Sequence, residues 1–240
     1  MEIIQKFIKK QNDLWMESQV TIAFLGDSVT QGCFEVYWKE NVGIHTVFEQ
    51  EKGYHRILAK LLAMLYPSVP VTVINAGISG DNAPYGLQRL ERDVISHNPD
   101  LVVVCFGLND AMSGIEHIPQ YLNALEGIFE QLKCRGIETI FMTPNMMATE
   151  VCDSIADPRI RAIASQAVSV QNDGILDAYM QQARAVCERQ RVRVCDCYAK
   201  WKQLQRNGVN ITQLLSNQIN HPTPEMHALF ATSLLEQMLS

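Results

Sequence analysis

The stretch VTIAFLGDSVTQG, residues 20–32, decides how the rest of the chain is read. Its first part is apolar at nearly every position and ends in Gly26, and a polar turn with Asp27 and Ser28 follows at once. A run that is apolar throughout, rather than at alternate positions, fits a strand buried on both faces, as in a parallel sheet. Ser28 then stands where a helix begins, so it is either part of the helix cap or an exposed, reactive hydroxyl.

Four more runs of the same kind follow: VTVINAG (71–77), LVVVCFG (101–107), ETIFMTP (138–144) and VRVCDCY (192–198). Between them lie segments of helical period at 53–66, 85–96, 118–136 and 174–190; a further one at 224–239 closes the chain, and one over about 1–18 opens it. Strands alternating with helices predict one doubly wound α/β domain over residues 1–240, without internal repeats. Residues 34–53 do not follow the alternation and are read as an irregular, partly helical insertion beside the site. Its Phe34, Tyr37, Trp38 and Phe48 fit a pocket lining or a core equally well.

Composition removes several function classes. Twenty Lys and Arg against 26 Asp and Glu give a formal charge of -6, and no basic run could follow a phosphate backbone, so no nucleic-acid partner is expected. No segment approaches the ~20 apolar residues of a membrane span, and the first residues lack the apolar core of a signal peptide. The expectation is a soluble, cytoplasmic protein. Seven cysteines, an odd number, fit reduced thiols better than a disulfide framework. Cys195 and Cys197 would share a face of the fifth strand, where packing explains them better than metal binding, and no metal or cofactor is expected.

In an open parallel sheet, ligands bind beyond the carboxyl ends of the strands. There the sequence places Gly26-Asp27-Ser28, then Asn75 to Gly80, then Gly107-Leu108-Asn109-Asp110, then Thr143-Pro144-Asn145. Taken singly these are caps and turns. Together they offer a hydroxyl on Ser28 and hydrogen-bond donors on Ser28 N–H, Gly77 N–H and the Asn109 amide, the needs of a serine hydrolase.

Six histidines compete for the role of base. His45, His55 and His97 read as surface or packing residues. His117 follows the third strand and could approach the site, and His227 reads as an ordinary helical position. His221 stands apart, because Pro222 biases it toward an extended loop and Thr223-Pro224 reads as the cap and first residue of the last helix.

GDSVTQG with Ser28, NAGISGD with Gly77, GLND with Asn109 and NHP with His221 resemble the four blocks of the SGNH, or GDSL, esterase and lipase family, in order, between residues 21 and 231. The resemblance implies a flavodoxin-like three-layer α/β/α fold with five parallel strands. It implies ester hydrolysis through an acyl-enzyme on Ser28, with His221 as general base and then acid, and with Ser28, Gly77 and Asn109 as the oxyanion hole. Neither metal nor organic cofactor is implied. One position departs from the family: where an aspartate is usual, three residues before the histidine, this chain has Gln218. Its amide oxygen, a backbone carbonyl, or Glu225 are the candidates to orient His221.

Small or short-chain acyl esters, O-acetyl groups on carbohydrate among them, are the expected substrates. Lysophospholipase or thioesterase chemistry is the alternative within hydrolases. A non-catalytic pseudo-esterase that binds an acylated ligand is the alternative outside them.

Overall fold

In the computed structural model, which describes residues 1–240, five parallel strands form the central sheet. These are β1 (Val20–Gly26), β4 (Val71–Gly77), β5 (Leu101–Cys105), β6 (Glu138–Met142) and β7 (Arg193–Cys195), in the order β4-β1-β5-β6-β7. A separate antiparallel pair, β2 (Cys33–Lys39) and β3 (Gly43–Phe48), stands apart from it. Ten helices complete the fold. The first five are α1 (Glu2–Asn12), α2 (Ser28–Gln31), α3 (Tyr54–Leu65), α4 (Ala83–Asp93) and α5 (Leu108–Met112). The others are α6 (Ile118–Cys134), α7 (Pro158–Asn172), α8 (Ile175–Gln190), α9 (Cys197–Arg206) and α10 (Pro224–Leu239).

Helices α1, α3, α9 and α10 pack together in one layer, and α4, α6 and α8 in another, with the sheet between them. This is the expected three-layer α/β/α arrangement. Every residue of β5 is buried, because helices cover both faces. The register sets Gly26 beside Gly77 on one side and Cys105 on the other, so three strands end level. Topology therefore gathers the strand-to-helix turns into one row, and their sequences decide what that row can do.

Three regions differ from expectation. Residues 34–53 are not irregular: the chain turns through Asn41 and Gly43, at φ of 64° and 89°, and folds as the β2–β3 hairpin before one 3-10 turn. VRVCDCY is a strand only as far as Cys195, because the Asp196 carboxylate accepts from Ala199 N–H and starts α9 at Cys197. Cys195 and Cys197 thus lie on different elements, both buried, with their sulfurs 3.8 Å apart. The opening helix ends at Asn12 rather than near residue 18.

Candidate active site

The turn after β1 is tight enough to need Gly26, since a Cβ there would meet Thr30 Oγ1 at 2.2 Å and the Cys105 carbonyl at 2.7 Å. Asp27 caps the single-turn helix α2, its carboxylate accepting from Val29 N–H at 2.9 Å. Capping is therefore the task of Asp27, which leaves the Ser28 hydroxyl free. Ser28 Oγ lies 2.9 Å from Nε2 of His221, across 193 residues of sequence, in a contact that is buried on both sides.

His221 is placed by a loop held almost wholly by amides. Asn217 Oδ1 accepts three backbone N–H groups, those of Ile219, Asn220 and His221, each at 3.0 Å. The His221 carbonyl accepts from Ser216 N–H, the Ile219 carbonyl from Ala148 N–H, and the Asn220 carbonyl from the Asn145 amide, each at 2.8 Å. Such a cradle fixes the imidazole without any charged group.

No side chain bonds the far side of the ring, where His221 Nδ1 is buried. Burial pushes the imidazole down to about 4, opposed only by the backbone of Phe34, which favours the proton. Gln218, whose backbone is left-handed at φ 54°, accepts through its side-chain oxygen from the Ser154 hydroxyl and not from His221. Glu225 is exposed in the first turn of α10, and its carboxyl is held low by its own backbone N–H and then by the Thr223 hydroxyl. Neither side chain that the sequence offered as an orienting group is placed on His221.

Among the expected donors, Ser28 N–H makes no hydrogen bond within the protein. Asn109 Nδ2 donates one hydrogen to the Asp81 carbonyl at 2.8 Å, which fixes the amide and leaves its second hydrogen. Gly77 is different, because its N–H already donates to Asn75 Oδ1 at 3.0 Å. A Cβ on Gly77 would meet Gln31 N at 2.3 Å, so glycine is needed there for the packing of β4 against α2. Three residues on, Gly80 has φ 81°, an N–H with no partner and no atom within 4 Å of a built Cβ. The free donor of the NAGISGD turn is on Gly80, a residue the sequence reading passed over although it stood in the same motif.

A second group absent from the sequence reading lies beneath these turns. Arg89 and Asp81 are buried and paired, with Nε and Nη2 of the arginine at 2.7 and 2.5 Å from Asp81 Oδ2. Asp110 is also buried; one carboxyl oxygen accepts from Ala83 N–H at 3.0 Å and the other has no partner. Burial pushes both Asp27 and Asp110 up to about 7, against the Val29 and Ala83 N–H groups respectively.

The remaining histidines lie elsewhere. His227 is buried and stacks on Tyr54, whose N–H donates to its Nδ1 at 3.1 Å. His55 is buried against Phe24, while His45 lies against Tyr37 in the hairpin. His97 and His117 are exposed. No group of three or more His, Cys, Asp or Glu side chains converges as metal ligands would, and no helix is long and apolar enough to cross a membrane.

Known proteins resemble this chain over the same elements. Residues 24–229 match the GDSL-like lipase/acylhydrolase family. An arylesterase of Vibrio mimicus is 36% identical over 93 residues, which are 38% of this chain and 44% of that protein. An acetylxylan esterase of Geobacillus stearothermophilus is 34% identical over 89 residues, 37% of this chain and 39% of that protein. The matched stretch is thus less than half the length of either curated relative. Among solved structures, an acetylxylan esterase of Geobacillus stearothermophilus shares the fold at a TM-score of 0.67 and 22% identity, covering 92% of this chain and 94% of that one. A two-domain esterase active on acetylated mannans gives 0.67 at 17% identity, over 98% of this chain and 52% of that one.

Proposed function

We propose a reaction for a chain that belongs to the GDSL-like lipase/acylhydrolase family: hydrolysis of small acyl esters, acetyl esters first, through an acyl-enzyme on Ser28. The observation that carries it is the 2.9 Å contact between Ser28 Oγ and His221 Nε2, with unbonded N–H groups on Ser28 and Gly80 in the turns after β1 and β4. His221 Nε2 takes the hydroxyl proton as Oγ attacks the carbonyl carbon. The oxyanion is received by Ser28 N–H, Gly80 N–H and Asn109 Nδ2. The imidazolium then gives its proton to the leaving alcohol, and water repeats the sequence to free the acid.

The acyl preference is supported by the relatives, one named an arylesterase and one an acetylxylan esterase. Seven free cysteines, five of them buried, fit a reducing compartment such as the cytoplasm. Nucleophile and base work as a dyad in this reading, since no carboxylate meets Nδ1. An amide cradle holds the ring in place but does not stabilise the imidazolium as an anion would.

The lack of an anion at Nδ1 is also what favours the second reading, a pseudo-esterase that binds an acylated ligand without cleaving it. A fluorophosphonate probe separates the two. The hydrolase labels once per chain at Ser28, does not label as Ser28→Ala, and labels far more slowly as His221→Ala. Folded wild-type protein that stays unlabelled from pH 6 to 9 would sink the esterase. A series of p-nitrophenyl esters from acetyl upward then tests acyl length, and a maximum beyond butyryl would move the assignment to the lysophospholipase or thioesterase type.

A further inference from the structure

Arg89 makes four hydrogen bonds inside the protein, beside an ion pair with Asp81. Nε donates to Asp81 Oδ2 at 2.7 Å, and Nη2 reaches the same oxygen at 2.5 Å and the Gly26 carbonyl at 3.0 Å. Nη1 donates to the Ala76 carbonyl at 2.7 Å and to Asp93 at 3.2 Å. A guanidinium bonded from all three of its nitrogens is a rigid planar plate, and this one is 7% exposed.

The partners are what give the plate its meaning. The Gly26 carbonyl belongs to the last residue of β1, two before Ser28, and it also accepts from Ile78 N–H at 3.1 Å. Asp81 directly follows Gly80 in the chain, and its carbonyl holds the Asn109 amide at 2.8 Å. Ala76 is the last residue but one of β4, the strand from which the Gly80 turn departs. One side chain thus ties the residue two before Ser28 to the residue after Gly80, and through the Asp81 carbonyl it reaches Asn109 in the turn after a third strand. A buried ion pair adds little to stability compared with apolar packing of the same volume. What it supplies here is a side-chain tie across turns whose strands are paired only as far as Gly26, Gly77 and Cys105, with one backbone bond, Ile78 N–H to the Gly26 carbonyl, beyond them.

We propose that Arg89, acting through Asp81 and the Gly26 and Ala76 carbonyls, is the positioning residue that sets Ser28 N–H, Gly80 N–H and Asn109 Nδ2 at the spacing of a tetrahedral oxyanion. The assignment rests on the esterase reading above. It differs from a stability role in one respect: the arginine touches no substrate, so its removal weakens the transition state and leaves ground-state binding alone.

Two variants test it from opposite ends of the pair. Arg89→Lys keeps the charge and loses the planar fork; Asp81→Asn keeps the shape and loses the charge, with the backbone carbonyl that holds Asn109 still in place. Active sites are counted by fluorophosphonate burst, so that kcat refers to labelled Ser28 alone. For Arg89→Lys, kcat per active site is expected to fall on the order of 100-fold, comparable to losing one oxyanion donor. KM should stay within about threefold, because a group that acts only in the transition state leaves it unchanged. Affinity for a boronic acid, which forms a tetrahedral adduct on Ser28, should fall with kcat. Asp81→Asn should show the same pattern at about tenfold, on the same reasoning.

Variants that keep wild-type kcat per labelled serine overturn the assignment while leaving the esterase reading intact. So does a loss of activity that only tracks the loss of folded protein in both variants. A folded wild type that never labels at Ser28 overturns both.

Discussion

The two halves of the site are built from opposite materials. On the side of the nucleophile, the turns after β1, β4 and β5 are laced by Asp27, Asp81, Asp110 and Arg89, all buried. On the side of the base, the loop that carries His221 is held by Asn145 and Asn217, and no charged side chain bonds the imidazole. Charge is concentrated where an anion must be received and is missing where a cation must be formed. The difference teaches that placing a base and stabilising its charged form are separate tasks, and that this fold performs the first without the second.

The sharpest way to break the charged side is at its one donor side chain. Asn109→Ala should lower kcat on the order of 100- to 1,000-fold, the usual loss for an oxyanion donor, with the thermal transition little changed. Steady-state kinetics alongside calorimetry checks this, and an activity within threefold of wild type would remove Asn109 from the hole.

The amide side breaks differently. Asn217→Ala strips one acceptor from three backbone N–H groups at once, and stability should fall on the order of 2–4 kcal/mol. In a chain of this size that is a drop in Tm of roughly 5–10 °C. Asn217→Asp retains the acceptor and should recover most of it. If alanine is tolerated without loss, the loop is held by its strand-like contacts instead.

The pH profile sharpens the comparison further. The base must be neutral to accept the serine proton, and burial holds His221 down at about 4. kcat/KM should therefore stay level from neutral pH to about 5, then fall as the pH drops through the imidazole value. A limb centred near 6.5, the ordinary histidine value, would mean that an anion reaches Nδ1 during turnover. Gln218→Ala, the smallest effect, should change kcat by less than threefold, since that side chain is bonded to Ser154 and not to the base.

Much of this architecture is legible in the sequence where a local signal coincides with the tertiary one. β1 and β4 begin and end at the residues expected, because a β-branched run stops at glycine in each. The last helix begins after Thr223, which caps it through Met226 N–H, with Pro224 in its first turn. The hairpin was misread as an irregular, partly helical insertion, although FEVYW and IHTVF flank Asn41-Val42-Gly43, a turn signal between two strand-like runs. The reading failed at VRVCDCY because Asp196 is a cap within an otherwise strand-like run. Nor could any local pattern mark Arg89, one charged residue among several in a helix, whose partners are carbonyls at the ends of two strands. The orientation of Gln218 was hidden for the same reason, since Ser154 lies 64 residues away.

The NAGISGD turn holds two glycines that answer to different constraints. Position 77 selects for size, because any β-carbon collides with the backbone at Gln31. Position 80 selects for handedness alone, because its surroundings are open and only the sign of φ stands against a side chain. A mirror-image alanine, introduced by chemical ligation, would remove the backbone penalty that an ordinary alanine meets at 80.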